Sequence, residues 1–406
     1  MPQWWERLFG RPTIDRLAHL VAAALQARGS PALTFDPAQR ELRTGETPPR
    51  IYYLGNVFSD YARAPRAQRP AVVARFVEAM AAAEEAMPFQ YAAARPHLMP
   101  VVRGAGEDDL ARLQARRSGA TESEVATFHP AARPLFGELT VGLAYDTPHA
   151  IQRLSTDQLA DWGVAFDDAL RDALDNLRAR PENPGWAPLA HGVWSGQWGD
   201  DYESSRLLLP DLIHRLGVHE PVVLTPLRRM LLVTGARNEA GLAEMARVSR
   251  EALQEQPRWL SVTPMRLGDA GWEPFEPPPA VAPAFAELAA IERAERYATQ
   301  KAALDDLHAR DGLDVFAASV MLYRTPDGRP TAVTTWTRGV ATWLPRTDLV
   351  VLVDGDASIA VPWAEVRAQA GPLMTALDMQ PERFEVTGFP DAAAWATLSS
   401  RAIPMP

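Results

Sequence analysis

Residues 198–206, Trp-Gly-Asp-Asp-Tyr-Glu-Ser-Ser-Arg, gather three carboxylates, two aromatic rings and a guanidinium into one short polar stretch. Asp200, Asp201 and Glu203 could bind a hard cation together, or one of them could act as a general base while Arg206 holds an anion. His191, a little upstream, is the side chain of this region that could exchange a proton near neutral pH. Trp194, Trp198 and Tyr202 suit a stacking platform for a sugar, a base or a peptide. The same residues also have a structural use that needs nothing from outside the turn. Asp200 or Asp201 caps a helix, the acids favour its positive end, Tyr202 packs, and Arg206 pairs with Glu203 three residues earlier. That use is the leading expectation. The catalytic candidates are therefore Asp200, Asp201, Glu203, Arg206 and His191, the binding candidates are Trp194, Trp198 and Tyr202, and no metal ligand set is assigned.

Most other chemistries are excluded by what the chain lacks. Lys301 is the sole lysine among 41 basic residues, it lies in a helical pattern, and no phosphate-loop motif is present, which removes most P-loop and pyridoxal-phosphate readings. There is no cysteine, so disulfides, thiolate metal sites and thiol nucleophiles are out. The eight histidines form neither H-x-x-x-H nor H-E-x-x-H. Trp194-Ser195-Gly196 lacks the leading glycine of a nucleophile elbow, and Gly104-Ala105-Gly106 runs into acids that would repel a pyrophosphate. Asp354-Gly355-Asp356 is a fragment of a calcium loop that a hairpin turn explains. No cofactor is expected. A net charge of −10, from 41 basic and 51 acidic residues, works against nucleic acid and anionic membranes and is compatible with a protein partner. With no leader pattern and no apolar stretch of spanning length, the expected location is cytoplasmic. Trp4, Trp5, Leu8 and Phe9 are expected on a helix packed against the chain's own body.

The elements that must position the turn follow from periodicity. Helical spacing of Ile14, Leu17, Leu20, Val21 and Leu25 predicts a helix over 13–27, and a strand over 51–54 precedes a helix from about residue 70. A short strand is expected over 98–103, and 105–127 reads as a connector with a helical turn or two. Alternation over 138–145 predicts a strand, followed by one near 150–154 and a long helix over 155–177 capped by Ser155 or Thr156. After the tryptophan-rich stretch and the polar turn, a helix is expected over 204–216. Paired strands over 221–225 and 230–234, a helix over 238–254 and a strand over 259–267 follow.

The grammar of strand, strand, helix recurs around Ile51, Glu138 and Val222, which predicts an α+β fold with antiparallel or mixed sheets. The proline-rich stretch at 274–283 marks a boundary. The expected domains are a body over 1–276, with sub-modules 1–110 and 121–276, a linker and helix over 277–311, and a small α+β domain over 312–406. In that last domain, hairpins are expected from 315–323 to 331–338 through the Pro326-Asp327-Gly328 turn and from 349–353 to 357–361. A helix over 362–377 and a strand over 384–387 complete it.

Leu98-Met-Pro-Val-Val-Arg103, the 138–145 strand with the 154–177 helix, Gly199-Asp-Asp-Tyr-Glu-Ser-Ser-Arg206, 222–233 and Asn238-Glu-Ala-Gly241 come in an order that resembles the YtpQ-like family of bacterial proteins, over residues 15–275. In that family the turn commonly reads Asp-Gly-Tyr-Asp-Ala-Ser-Arg. Tyr202, Glu203, Ser205 and Arg206 match in type, and Asp201 stands where glycine would. The resemblance implies a mixed α/β architecture and, since the family's biochemical function is unassigned, no catalytic residues. Residues from Gly312 onward fall outside it. The expected function is a non-enzymatic protein-binding role, such as an immunity or accessory protein of a defence or toxin system. The alternative is a carboxylate-dependent hydrolase, with or without a metal, built on Asp200 to Arg206.

Overall fold

The computed structural model describes residues 12–37, 40–46, 50–82, 87–104, 106–117, 125, 128–147, 151–181, 185–255, 259–268, 271–325 and 328–404. The Trp4, Trp5, Leu8, Phe9 cluster, Pro326 and Asp327 of the expected turn, and much of 105–127 lie outside them. The chain divides into two compact units, one of Met1–Met99, Ser118–Ala131 and Leu143–Ala173, the other of Pro100–Arg117, Ala132–Gly142 and Leu174–Pro406.

In the first unit, helix α1 (Ile14–Gln26) is capped by Thr13, whose Oγ1 accepts the Arg16 N–H at 3.3 Å, and it buries Leu17, Val21 and Leu25 at helical spacing. These meet Leu42 and Tyr52 of an antiparallel sheet, β1 (Leu33–Asp36), β2 (Glu41–Thr44) and β3 (Ile51–Tyr53). Val57 and Tyr61 of α2 (Gly55–Arg63), with Val72, Val73 and Val77 of α3 (Arg69–Ala82), close that core. Strands β4 (Leu98–Gly104) and β6 (Leu139–Asp146) run from one unit into the other. Within the first unit β6 pairs with β7 (Ile151–Arg153), and within the second with β5 (Ala132–Phe136).

Ser155 caps the next helix, Thr156–Asp161, its Oγ accepting the Gln158 N–H at 3.1 Å. The single helix expected over 155–177 is in fact broken. Gly163 takes a left-handed φ of 65°, the Trp162 indole N–H donates to the Pro88 carbonyl at 2.9 Å, and the chain restarts as α4 (Phe166–Ala179).

The second unit is organised by a six-stranded sheet in the order β13-β12-β10-β11-β9-β8, from β8 (Trp186–Pro188), β9 (Trp194–Gly196), β10 (Pro221–Leu227), β11 (Leu232–Gly235), β12 (Trp259–Gly268) and β13 (Gly271–Pro274). Strand alternation sorts its residues to two cores. Val222 and Leu224 face Leu242, Met245 and Leu253 of α5 (Glu239–Glu255), whereas Val223 and Val233 face Val102, Leu139, Leu207 and Ile213. The polar turn feeds Leu207 into the second of these.

Helix α6 (Ala282–Asp311) follows the prolines and serves two cores in the same unit. Phe285 and Leu288 pack with the α5 side of the sheet, and Ala303, Leu304 and Leu307 pack with Leu113 and Ala317. The expected boundaries at 276 and 312 both fall inside the second compact unit, and the helix between them packs with core residues from both sides of that interval.

Two four-stranded sheets complete the unit, β14-β17-β21-β20 and β15-β16-β18-β19, from β14 (Phe316–Ala317), β15 (Met321–Arg324), β16 (Pro330–Thr337), β17 (Thr342–Pro345), β18 (Leu349–Asp354), β19 (Ala357–Pro362), β20 (Met374–Ala376) and β21 (Arg383–Val386). The strand expected over 315–323 is split between them. The helix expected over 362–377 stops as α7 (Trp363–Ala370), because Gly371-Pro372 cannot carry it on, and an unforeseen helix, α8 (Ala392–Ser400), packs Leu398 on Trp336, Val361 and Val366. Among the described residues, the strand pairs with a known register are antiparallel except for β14 with β17 and β16 with β18, so the architecture is α+β with mixed sheets. Among the described residues no helix is long and apolar enough to cross a membrane.

Candidate functional site

The polar turn leaves β9 and enters a 3₁₀ helix, Ser204–Leu208, followed after Leu209 by the short helix Pro210–His214. The continuous helix expected over 204–216 does not form, because Pro210 has no N–H and its ring displaces the carbonyl a turn earlier. Two left-handed residues shape the entry, Gly199 at φ 71° and Asp201 at φ 66°. Glycine takes that conformation freely and aspartate is among the few other residues that tolerate it. At Gly196 a Cβ would run into the Trp198 ring, so the indole can fold back over the end of β9.

The charges of the turn answer one another. Arg206, 1% exposed, donates Nη1 and Nη2 to the two carboxylate oxygens of Asp200 at 2.8 and 2.7 Å. Asp200 also accepts the Tyr202 N–H at 3.1 Å and has Arg180 Nη1 at 3.8 Å. Burial pushes the Asp200 carboxyl up, but the Arg206 hydrogen bonds and charge, the Tyr202 N–H and Arg180 together outweigh it and hold the group below the ordinary 3.8. Glu203, 3% exposed, accepts the Gly199 N–H at 2.7 Å through Oε1, and its Oε2 is buried without a hydrogen-bond partner. The expected Glu203–Arg206 pair is thus replaced by Asp200–Arg206. In the 3₁₀ turn Arg206 reaches back across the loop, while Glu203 ties that loop's own backbone.

Aromatic rings enclose the pair. The Arg206 guanidinium lies 4.2 Å from the centre of the Trp198 ring, Trp198 meets Trp186 edge to face at 5.0 Å, and Arg180 lies 4.9 Å from the centre of the Tyr202 ring. Trp198 and Tyr202 are buried and Trp194 is half-buried against Leu139, Leu207 and Val233, so the three do not form an open stacking face. Ser205 Oγ accepts the Val102 N–H of β4 at 3.3 Å, and the Trp272 indole of β13 donates to the Leu207 carbonyl at 3.0 Å. The turn is a clamp between the polar loop, β4 and the six-stranded sheet.

Asp201 points the other way. Half-exposed, it pairs with the Arg229 Nε at 2.9 Å in solvent. Its left-handed backbone is the conformation a glycine at this position would supply.

His191 sits apart from the turn, exposed, at φ 57° in the 3₁₀ turn Ala190–Gly192, with its carbonyl accepting Asn238 Nδ2 at 2.8 Å. Next to it opens a shallow cleft of about 450 Å³ lined by Gly192, Val218, His219, Gly235, Arg237 and Asn238. None of residues 198–206 lines that cleft. Arg237 and His219 share the Glu220 carboxylate at 3.2 and 3.7 Å, so the cleft carries its own counter-ion. Among the described residues no group of three or more His, Asp or Glu side chains is arranged to hold a metal ion.

Sequence reasoning missed Arg180, Arg229 and Val102, which the chain brings to the turn from far away. No local signal marks them. A different surface also went unforeseen. Leu313, Phe316, Met321, Leu322 and Tyr323, in one short segment, are each between 36% and 50% exposed. No family model, curated protein or solved structure matches the chain.

Proposed function

We propose that this protein is a non-enzymatic, cytoplasmic protein-binding protein whose body is related to the YtpQ-like family. The observation that carries the binding role is the exposed apolar run through Leu313, Phe316, Met321, Leu322 and Tyr323. Single exposed apolar residues are ordinary, but five large ones within a dozen positions or so present apolar surface of the kind partner proteins cover. The state of the polar turn supports the same reading. Asp200, Glu203 and Arg206 are engaged beneath buried aromatic rings, which leaves Asp201 as the turn's most accessible carboxylate, already facing Arg229. The left-handed backbone at Asp201, where the family carries glycine, supports the family relation.

The test is affinity capture from the native host with the wild-type chain and with the double variant Phe316→Asp, Met321→Asp, two exposed positions whose change leaves the core intact. A partner retained by the wild type and lost by the variant is expected. Recovery of no stable partner, or equal recovery by both proteins, refutes the proposal.

A further inference from the structure

Strand β15 (Met321–Arg324) is the edge of the sheet β15-β16-β18-β19, and all four of its residues are exposed. Its register with β16 pairs Met321 with Val333, Leu322 with Ala332, Tyr323 with Thr331 and Arg324 with Pro330. Ala332 spends both backbone groups on the opposite side. Its N–H donates to Asp348 Oδ2 at 2.7 Å, and its carbonyl accepts the Asp348 N–H at 3.0 Å. Leu322 therefore belongs to a pair that exchanges no backbone hydrogen bonds, and its N–H and C=O point away from the sheet. Arg324 is in phase with Leu322, and its partner Pro330 has no N–H to offer. An open ladder flanked by Met321, Leu322 and Tyr323 is a template for another strand, blunted by no proline or bulge and carrying a single charge, Arg324.

The local charge says what kind of strand. The Glu287 carboxylate answers two arginines, Arg324 at 2.6 Å and Arg250 at 4.0 Å, so the Arg324 end of the edge keeps an excess positive charge. A second copy of this chain would bring the same cationic end and no carboxylate within its own Met-Leu-Tyr-Arg strand.

We infer that β15 receives an extended segment of a different protein, added antiparallel or parallel as a fifth strand, apolar in alternate positions and carrying a carboxylate beside Arg324. This inference rests on the protein-binding reading and names the partner's chemistry. Two backbone bonds come from Leu322 and the apolar contacts from Met321, Leu322 and Tyr323. Arg324 sets the polarity of the charged end.

The experiment is selection of random twelve-residue peptides displayed on phage against the full chain, followed by binding of the enriched peptides to Leu322→Pro and Arg324→Glu variants. Leu322→Pro removes the outward N–H and trims one apolar contact, a substitution that edge strands accept without loss of a ladder bond. Circular dichroism and melting temperature matching the wild type verify that both variants are folded. The expected result is a family of β-branched peptides bearing Asp or Glu. Their affinity falls at least tenfold with Leu322→Pro, and Arg324→Glu reverses the preference to Lys or Arg. Peptides that bind Leu322→Pro as well as wild type overturn the edge assignment while leaving protein binding standing. Indifference of the peptides to acid or base overturns the charge rule, and enrichment of no peptide overturns the inference as a whole. Sedimentation that shows a wild-type dimer dispersed by Leu322→Pro assigns the edge to a second copy and overturns it too. Loss of host-protein capture in the Phe316→Asp, Met321→Asp variant separates failure of this inference from failure of the binding role.

Discussion

Replacing Arg206 by methionine removes a buried guanidinium while roughly preserving its volume, and it leaves the Asp200 carboxylate without its bidentate partner. The Arg206 side chain is 2% exposed and that of Asp200 is 18%, so the pair counts as buried on one side and partly wet on the other. Breaking a buried pair by removing one member costs about 3–5 kcal/mol, because the survivor stays desolvated. For Arg206→Met the lower end, about 3 kcal/mol, applies, since Asp200 keeps some water and the Tyr202 N–H. Asp200→Asn is the more damaging change, about 4–5 kcal/mol, because the stranded cation is the fully buried member. The double variant should cost less than the sum by about 2 kcal/mol, the signature of two residues acting on one another. Calorimetry of the full chain at pH 7 reads this as a fall of roughly 6–12 °C in the transition of the unit that holds the turn, at about 2–4 °C per kcal/mol. The pH dependence has a fixed sign. With the folded pKa of Asp200 below its ordinary value, the pair's contribution is present above about pH 4 and is lost as pH falls through the folded pKa. An Arg206→Met protein that melts within a degree of wild type, or single changes that simply add, would mean that the turn is not the clamp described here.

Glu292 is expected to give the opposite pH dependence. Burial, with Glu138 adding to it, outweighs Arg296 and pushes this carboxyl from the ordinary 4.5 to about 7. The folded state then holds a proton the unfolded state has released, so stability falls as pH rises from about 4.5 to about 7, by at most about 3 kcal/mol. Urea titrations across that window should show a slope that Glu292→Gln flattens, and an unchanged slope refutes the assignment. Arg383 is fully buried and donates to Gln300 Oε1 at 2.6 Å and to the carbonyls of Ala318, Trp343 and Tyr297 at 2.8, 2.9 and 3.4 Å. Arg383→Lys cannot span these acceptors and should cost at least about 3 kcal/mol. Thermal unfolding that shows under 1 kcal/mol lost would place the stability of this region elsewhere.

The clamp also shows how far local pattern reaches. The composition of residues 198–206 marks the turn as unusual, and the packing of Tyr202 was legible there. The helix cap expected from Asp200 or Asp201 does not form, since the 3₁₀ helix starts after Glu203 with no side-chain cap. Which acid meets Arg206 was not legible. Asp200 and Glu203 are both within reach along the sequence, and Pro210, by shortening the helix, together with the left-handed steps at Gly199 and Asp201, turns Asp200 toward the guanidinium and Glu203 toward the Gly199 N–H. Likewise the strand over 315–323 reads as one element because its apolar residues run on without a strong break. Only pairing separates Phe316 of β14, beside Thr342, from Met321 of β15, beside Val333.

Sequence alone determined the α+β class, the paired strands β10 and β11, a hydroxyl cap at Ser155 or Thr156, the hairpin of β18 with β19 and the absence of thiol chemistry. These depend on spacing over a few residues or on residue types that are simply missing. Tertiary structure decided which charges are spent and which surfaces are left. Arg180, Val102 and Arg229 reach the turn from distant elements, one helix serves two cores across a proline boundary that looks like a domain break, and an apolar edge strand stays uncovered. Each is settled by long-range pairing and burial, and no local window of the chain records whether a side chain will find its counterpart or face solvent.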